Sequence, residues 1–179
     1  MRLDPIDRLP IPIRSLPAVA EPRKAPDGAF VALQLAALSL QGRDDAGAFQ
    51  GDEEVQGGDD GDTITGGGGD ERLFGDEGAD VIRGDGGGEF GHDWIDGGLG
   101  SDHIYGELGN DYLHGGGGYD EVFGGEGNDF LVAGTGHDRL EGGAGSDTYL
   151  LAPGSGYVHI NDTEGFNILH FSPEVAIGA

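Results

Sequence analysis

The sequence predicts an all-β solenoid, from a short repeat, its glycines and its single apolar position. Ten units of nine residues run from Gly57 to Leu150 with the template G-G-x-G-x-D-x-U-x, where U is a large apolar residue. A fixed period this short favours a stack of coils over a globular core, because each unit buries its apolar side only against neighbouring copies.

Each unit is predicted to contain one turn and one short strand. Glycine at positions one, two and four permits positive φ and close backbone approach, which suits a tight turn. An inward residue at position eight between two outward ones is typical of a three-residue strand. Two units then form one coil, and unit i stacks on unit i+2 at about 4.8 Å, so that two parallel sheets enclose the apolar column. That column comprises Ile64, Leu73, Ile82, Ile95, Ile104, Leu113, Val122, Leu131, Leu140 and Tyr149.

Position six is acidic in every unit: Asp62, Glu71, Asp80, Asp93, Asp102, Asp111, Asp120, Asp129, Asp138 and Asp147. In the predicted coil these side chains form two columns, one at each edge of the sheets. Carboxylates about 5 Å apart repel one another unless a cation lies between them. Turn carbonyls would add further oxygen ligands, and such a donor set suits Ca²⁺ better than Mg²⁺ or a transition metal.

The ten units resemble the repeats-in-toxin (RTX) nonapeptide of haemolysin-type calcium-binding proteins, over about half of the chain. The resemblance implies a right-handed parallel β-roll with Ca²⁺ between units i and i+2, bound by position-six carboxylates and by carbonyls near positions one, two and four. The carbonyl ligands carried over are Gly98, Gly100, Gly109, Gly116, Gly118, Gly125, Gly127, Gly136, Gly143 and Gly145. Four gaps on each edge give up to about eight calcium ions.

One insertion, assigned from the repeat to Gly84–Asp85–Gly86–Gly87, interrupts the array. The gap between Glu71 and Asp93 combines this insertion with a longer carboxylate. We therefore expect the weakest calcium site there, and the tightest sites in gaps that keep the template, such as Asp111/Asp129.

Composition limits the partners of the chain. The net charge is −25, and residues 57–150 hold 22 of the 34 acidic residues but three of the nine basic ones. A chain so acidic and glycine-rich does not offset its ordering entropy by burial, so we expect disorder without metal. Phosphate repulsion excludes nucleic acid as a partner. The sequence has no cysteine, which excludes disulfides and thiolate chemistry.

The flanking segments differ from the array. Residues 1–28 are predicted to be a flexible proline-rich arm, and residues 29–56 a short helix over Ala29–Leu40 followed by a degenerate first coil. Residues 151–179 resemble the strands that cap RTX arrays. The apolar stretch is too short to span a bilayer, and no ordinary amino-terminal signal peptide is visible. The resemblance implies a bacterial protein exported by a type I secretion machinery.

The outer face of one sheet is unusually aromatic. Position seven of the even-numbered units carries Trp94, Tyr112 and Phe130, which we expect to form a ladder on adjacent coils. The first interpretation is that Ala29–Leu40 or the carboxyl-terminal strands cover these rings, because large apolar patches are seldom left open. The second is a platform for a glycan or partner, and the third a contact with a neighbouring domain.

The sequence predicts no enzyme. It contains neither H-E-x-x-H nor G-x-S-x-G, and its histidines are dispersed over turn and strand positions. The leading hypothesis is a secreted, extracellular calcium-binding roll that folds on meeting calcium and so serves export. A glycan- or partner-binding module and a fragment of a larger RTX enzyme are the alternatives.

Overall fold

The structure is a computed structural model that describes residues 45–46, 49–52, 54–86, 88 and 90–173. In this part of the chain all regular structure is β. In chain order the strands are β1 (Asp45–Ala46), β2 (Phe49–Gln50), β3 (Glu54–Asp59), β4 (Thr63–Gly68), β5 (Arg72–Gly78), β6 (Val81–Asp85), β7 (Trp94–Asp96), β8 (Leu99–Gly100), β9 (His103–Leu108), β10 (Tyr112–Gly118), β11 (Glu121–Glu126), β12 (Phe130–Ala144), β13 (Thr148–Leu151), β14 (Tyr157–Ile160) and β15 (Ile168–Phe171).

The strands form two sheets in which neighbours are parallel and come from alternate units, which confirms the predicted solenoid. The odd-unit sheet has the order β4-β6-β9-β11-β12-β14, with β1 and β2 beside β4. The even-unit sheet has the order β3-β5-β7-β10-β12-β13-β15, with β8 between β5 and β10. Strand β12 runs through a turn and joins both sheets, so the sheets are opposite walls of one coil.

The core is the predicted column of position-eight side chains. All ten are buried, from 0% exposure at Ile64 to 2% at Tyr149. The column is one residue wide in each sheet, so the apolar core is narrow and extends along the axis of the roll. In the strands that follow the array, Val158 and Ile160 pack against the core. By contrast, Ile168, Leu169 and Phe171 remain 43–45% exposed.

The placement of the insertion predicted from the repeat was wrong. Asp85 pairs with Gly67, the position-two glycine two units earlier. The amide of Gly91 donates to the carbonyl of Leu108 at 3.2 Å, as do position-four amides elsewhere in the array. Residues 84–86 therefore occupy positions one to three of the fourth unit, and the extra residues are 87–90. The repeat alone did not resolve this, because Gly84 and Gly88 both satisfy position one.

The predictions for the amino-terminal segment concern residues that lie partly outside the described ones. Residues 1–44, which include the predicted arm and the predicted helix over Ala29–Leu40, lie outside them. The segment interpreted as a degenerate coil contains β1, β2 and the first residues of β3, and Val55 in β3 pairs with Leu73 of the apolar column.

Candidate metal-binding edges

The acids of position six lie inside the turns and not on the surface. All ten are buried, with exposures between 0% and 3%. Each follows the turn glycines and precedes the strand that carries the core residue, so the pleat turns its side chain inward. Burial of this many carboxylates is costly unless each is hydrogen-bonded or paired with a positive charge.

Each acid is tied to the acid one coil away on the same edge. The amide of Asp62 donates to Oδ1 of Asp80 at 2.7 Å, and the amide of Asp111 donates to Oδ1 of Asp129 at 2.9 Å. The same bond recurs along both edges. The odd edge joins Asp62, Asp80, Asp102, Asp120 and Asp138, and the even edge joins Glu71, Asp93, Asp111, Asp129 and Asp147. The structure thus contains the two columns predicted from the sequence.

This bond engages one oxygen of each carboxylate and leaves the other buried. No hydrogen-bond partner among the described residues reaches Oδ2 of Asp80, Asp102, Asp111, Asp120, Asp129 or Asp138. Buried carboxylate oxygens without a donor are rare in stable folds, because the group has lost its water. A cation between successive coils would supply the missing partner.

The pKa values of the column carboxylates also indicate a cation site. Burial raises the pKa of Asp111 to about 8 and that of Asp120 to about 7. The amide bond from the preceding acid lowers each pKa, while the neighbouring carboxylates of the column raise it further. Ionising such a column opposes folding. With a divalent cation within the column, the ionised carboxylates favour folding instead.

The predicted carbonyl ligands lie in the turns beside these oxygens. All ten glycines have positive φ, from 97° at Gly98 to 148° at Gly118. A Cβ on Gly118 would lie 1.5 Å from the carbonyl oxygen of Gly100, so glycine is required where successive turns touch. The carbonyl of Gly98 accepts the amide of Gly117 at 2.8 Å. A carbonyl oxygen has two lone pairs, so one remains for a ligand.

One acid near the even edge was missed by the sequence reasoning. Asp85 is 5% exposed and offers an oxygen that lies within 4.8 Å of oxygens of Glu71 and Asp93. The repeat placed it in the insertion and assigned it no role. An acidic residue at a glycine position of the template is not a sufficient signal, because Asp76 and Glu107 share it and are exposed.

The aromatic ladder is present on the even-unit sheet. The rings of Trp94 and Tyr112 are stacked with centroids 5.8 Å apart, and those of Tyr112 and Phe130 are stacked at 5.3 Å. Phe74 extends the ladder with a tilted contact to Trp94 at 5.1 Å. Tyr112 is 36% exposed, which leaves a ring edge accessible.

The odd-unit sheet carries a different outer surface. Tyr105 and Phe123 stack at 5.1 Å, and the guanidinium groups of Arg83 and Arg139 lie over these rings at 4.4 and 4.9 Å. Cations thus cover this pair, whereas the rings Trp94, Tyr112 and Phe130 cover one another. In the part of the chain that the structure describes, the stacked rings without a guanidinium over them lie on the even-unit sheet.

Two histidines of the array contact a neighbouring coil. Nδ1 of His92 accepts the amide of Asn110 at 2.8 Å, within a hydrogen-bonded column that continues to Asn128. His114 lies 3.0 Å from Asp96, and this contact raises the pKa of the imidazole.

Comparison with known proteins identifies the repeats. The family of RTX calcium-binding nonapeptide repeats matches in four copies, over residues 48–82, 65–88, 87–122 and 123–158. A search of curated proteins found no match. Within the described residues no helix has the length and apolarity that a membrane crossing requires.

Proposed function

Because the chain belongs to the RTX calcium-binding repeat family and forms its calcium-binding β-roll, we propose that it is a calcium-triggered folding module of an exported protein. Intracellular calcium is too low to neutralise the two acid columns, so the chain stays unfolded and passes through a type I exporter. Millimolar calcium outside the cell then drives folding.

The observation that carries this proposal is the buried Oδ2 that no donor among the described residues reaches, found on the odd edge at Asp80, Asp102, Asp120 and Asp138 and on the even edge at Asp111 and Asp129. In our assignment one Ca²⁺ lies in each gap between successive acids of a column. The two carboxylates and the turn carbonyls of the ten glycines named above provide its oxygens. Eight gaps would hold up to about eight ions, and the roll would span residues 57–150 with the strands after Leu151 as its cap.

The role of the cation follows from the residues present. Ca²⁺ supplies positive charge and accepts six to eight oxygen ligands in flexible geometry, which suits sites built from both side chains and backbone. A hydrogen bond from the backbone amide of the neighbouring acid orients each carboxylate, and the glycines let two turns approach closely. Each site joins two coils, so filling one gap favours the next and folding should be cooperative.

A calcium titration followed by circular dichroism tests the proposal. The full chain in excess chelator should lack strand signal and should gain it cooperatively as calcium reaches the millimolar range, whereas magnesium at the same concentration should not induce it. Equal strand content in chelator and in calcium would contradict the proposal.

We propose a neutral glycan as the ligand of a second candidate function, for which the open edge of the aromatic ladder is the supporting observation. Stacked rings suit the apolar faces of sugars, while a net charge of −25 repels anionic polysaccharides. Tyr112→Ala should abolish retention on a neutral polysaccharide, and Tyr119→Ala, at a 54% exposed turn position, should not. Absence of retention in the wild type would exclude this candidate.

A further inference from the structure

The insertion changes the conformation of Asp85 relative to its equivalents. At position two of other units, glycines and the acids Asp76 and Glu107 adopt positive φ, 69° and 76° for the two acids. Their side chains are exposed. Asp85 is not among the positive-φ residues, and it is 5% exposed. The four extra residues of the chain follow Gly86, so the turn that contains Asp85 need not repeat the geometry of its neighbours.

The carboxylate of Asp85 takes the place of its own carbonyl. In a regular coil the position-three amide of Gly117 donates to the position-two carbonyl of Gly98 at 2.8 Å. The corresponding amide here, that of Leu108, donates to Oδ2 of Asp85 at 3.0 Å. A side chain thus replaces a backbone oxygen at a point where the family pattern places a calcium-binding turn.

The inward carboxylate of Asp85 is a third carboxylate in the gap between Glu71 and Asp93. One oxygen from each of the three residues lies within 4.8 Å of the others, and all three residues are at most 5% exposed. Two ligands of one calcium ion, each at about 2.4 Å, are separated by at most about 4.8 Å. The spacing therefore matches a shared ion.

This gap also contains a buried carboxylate oxygen of the kind found in the other gaps. Oδ1 of Asp93 accepts the amide of Glu71 at 2.9 Å, while its Oδ2 is buried and receives no amide or hydroxyl donor from the described residues. That oxygen faces the turn of Gly84, where a Cβ would lie 2.0 Å away. A buried carboxylate oxygen is thus directed at the turn from which Asp85 comes.

We propose that Glu71, Asp85 and Asp93 form a three-carboxylate calcium site peculiar to this chain, the tightest of the array. The inference rests on the proposed function, since it assumes that the gaps bind calcium. Other gaps present two position-six carboxylates, and an additional negative ligand favours a divalent ion and favours a trivalent one more. A tight site here reverses the expectation from the sequence that this gap binds calcium most weakly. That expectation considered only the disturbance that the insertion causes.

Terbium luminescence tests the site through its position. Trp94 follows Asp93 directly and is the only tryptophan of the chain, so excitation of tryptophan sensitises an ion bound nearby. In the calcium-loaded full chain, the first equivalent of Tb³⁺ should replace calcium at this site and produce tryptophan-sensitised emission. A first equivalent that gives no such emission would overturn the proposal without any variant.

Asp85→Asn with Asp76→Asn as its matched control completes the test. Asparagine keeps an acceptor for Leu108 but removes the charge, and Asp76 occupies the same position two in the preceding unit with an exposed side chain. Asp85→Asn should weaken the tightest calcium and terbium binding about tenfold or more with strand content retained, while Asp76→Asn binds as the wild type. Equal binding by both variants overturns the site. Failure of the wild type to bind calcium overturns the proposed function instead.

Discussion

The two edges of the roll carry acids in the same register, but only the even edge contains the insertion. Along the odd edge each turn repeats the one before it, and Asp80 remains bonded to Asp102 although four extra residues separate them in sequence. On the even edge the same bond joins Glu71 to Asp93, and the extra residues follow Gly86. Asp85 in this turn is 5% exposed, whereas Asp76 at the same position of the preceding unit is exposed. The comparison teaches that the bond between acids tolerates an insertion that the turn accommodates only by rearranging.

The largest loss of stability is expected when a side chain is added where two turns touch. On the even edge this loss should distinguish a regular turn from the insertion. A Cβ on Gly109 would lie 1.7 Å from the carbonyl oxygen of Gly91, so Gly109→Ala should destabilise the calcium-bound roll by about 3 kcal/mol or more. Gly88→Ala meets no atom within 4 Å and has only its φ of 85° to strain, at a cost of about 1 kcal/mol. Urea unfolding at fixed calcium measures both, and equal losses would show that the insertion is packed like a regular turn.

The next effect compares acids within the even edge. Asp111 borders two gaps, because it accepts the amide of Asp93 and donates its own to Asp129. Asp111→Ala should therefore raise the calcium midpoint of folding about tenfold. Glu71→Ala leaves Asp85 and Asp93 in its gap and should raise the midpoint about twofold to threefold. A titration followed by circular dichroism checks both variants, and equal shifts would count against the assignment of ligands.

A smaller effect concerns pH, and it should be common to the two edges. The folded-state pKa is about 8 for Asp111 on the even edge and about 7 for Asp120 on the odd edge, against an ordinary value of 3.8. Groups with raised folded-state pKa values stabilise the fold at low pH, and this contribution is lost as pH rises through those values. In chelator, strand content should therefore increase between pH 8 and pH 5.

In saturating calcium the sign is reversed, because protons compete with the cation for the same oxygens. Folding midpoints measured at pH 8 and pH 5 should thus move to higher calcium in acid. A chelated chain whose spectrum is independent of pH would contradict the link between carboxylate burial and folding.

The smallest effect extends the comparison from the edges to the faces of the two sheets. Among the described residues no guanidinium is found over the rings of the ladder Trp94–Tyr112–Phe130, in contrast to the odd-unit sheet. The first interpretation of the sequence predicts that Ala29–Leu40 covers this ladder. Deletion of residues 1–42 should then red-shift the emission of Trp94 in the calcium-bound protein. An unchanged spectrum would favour an open ladder and with it the glycan-binding alternative.

The sequence by itself determined the repeating part of this protein. A period of nine with one apolar and one acidic position is sufficient to predict the core from Ile64 to Tyr149, the two acid columns and the stacked rings. The reason is that a solenoid repeats one local geometry, so each residue's partner is the residue one coil away. Sequence distance translates directly into spatial distance wherever the period holds.

Tertiary structure decided what happens where the period breaks. The glycines at 84 and 88 are equivalent as letters, and only the pairing of Asp85 with Gly67 shows which one begins the fourth unit. Whether an acid at a glycine position faces solvent, like Asp76, or the interior, like Asp85, depends on its backbone torsion. That torsion is set by contacts between coils, which a single unit does not encode.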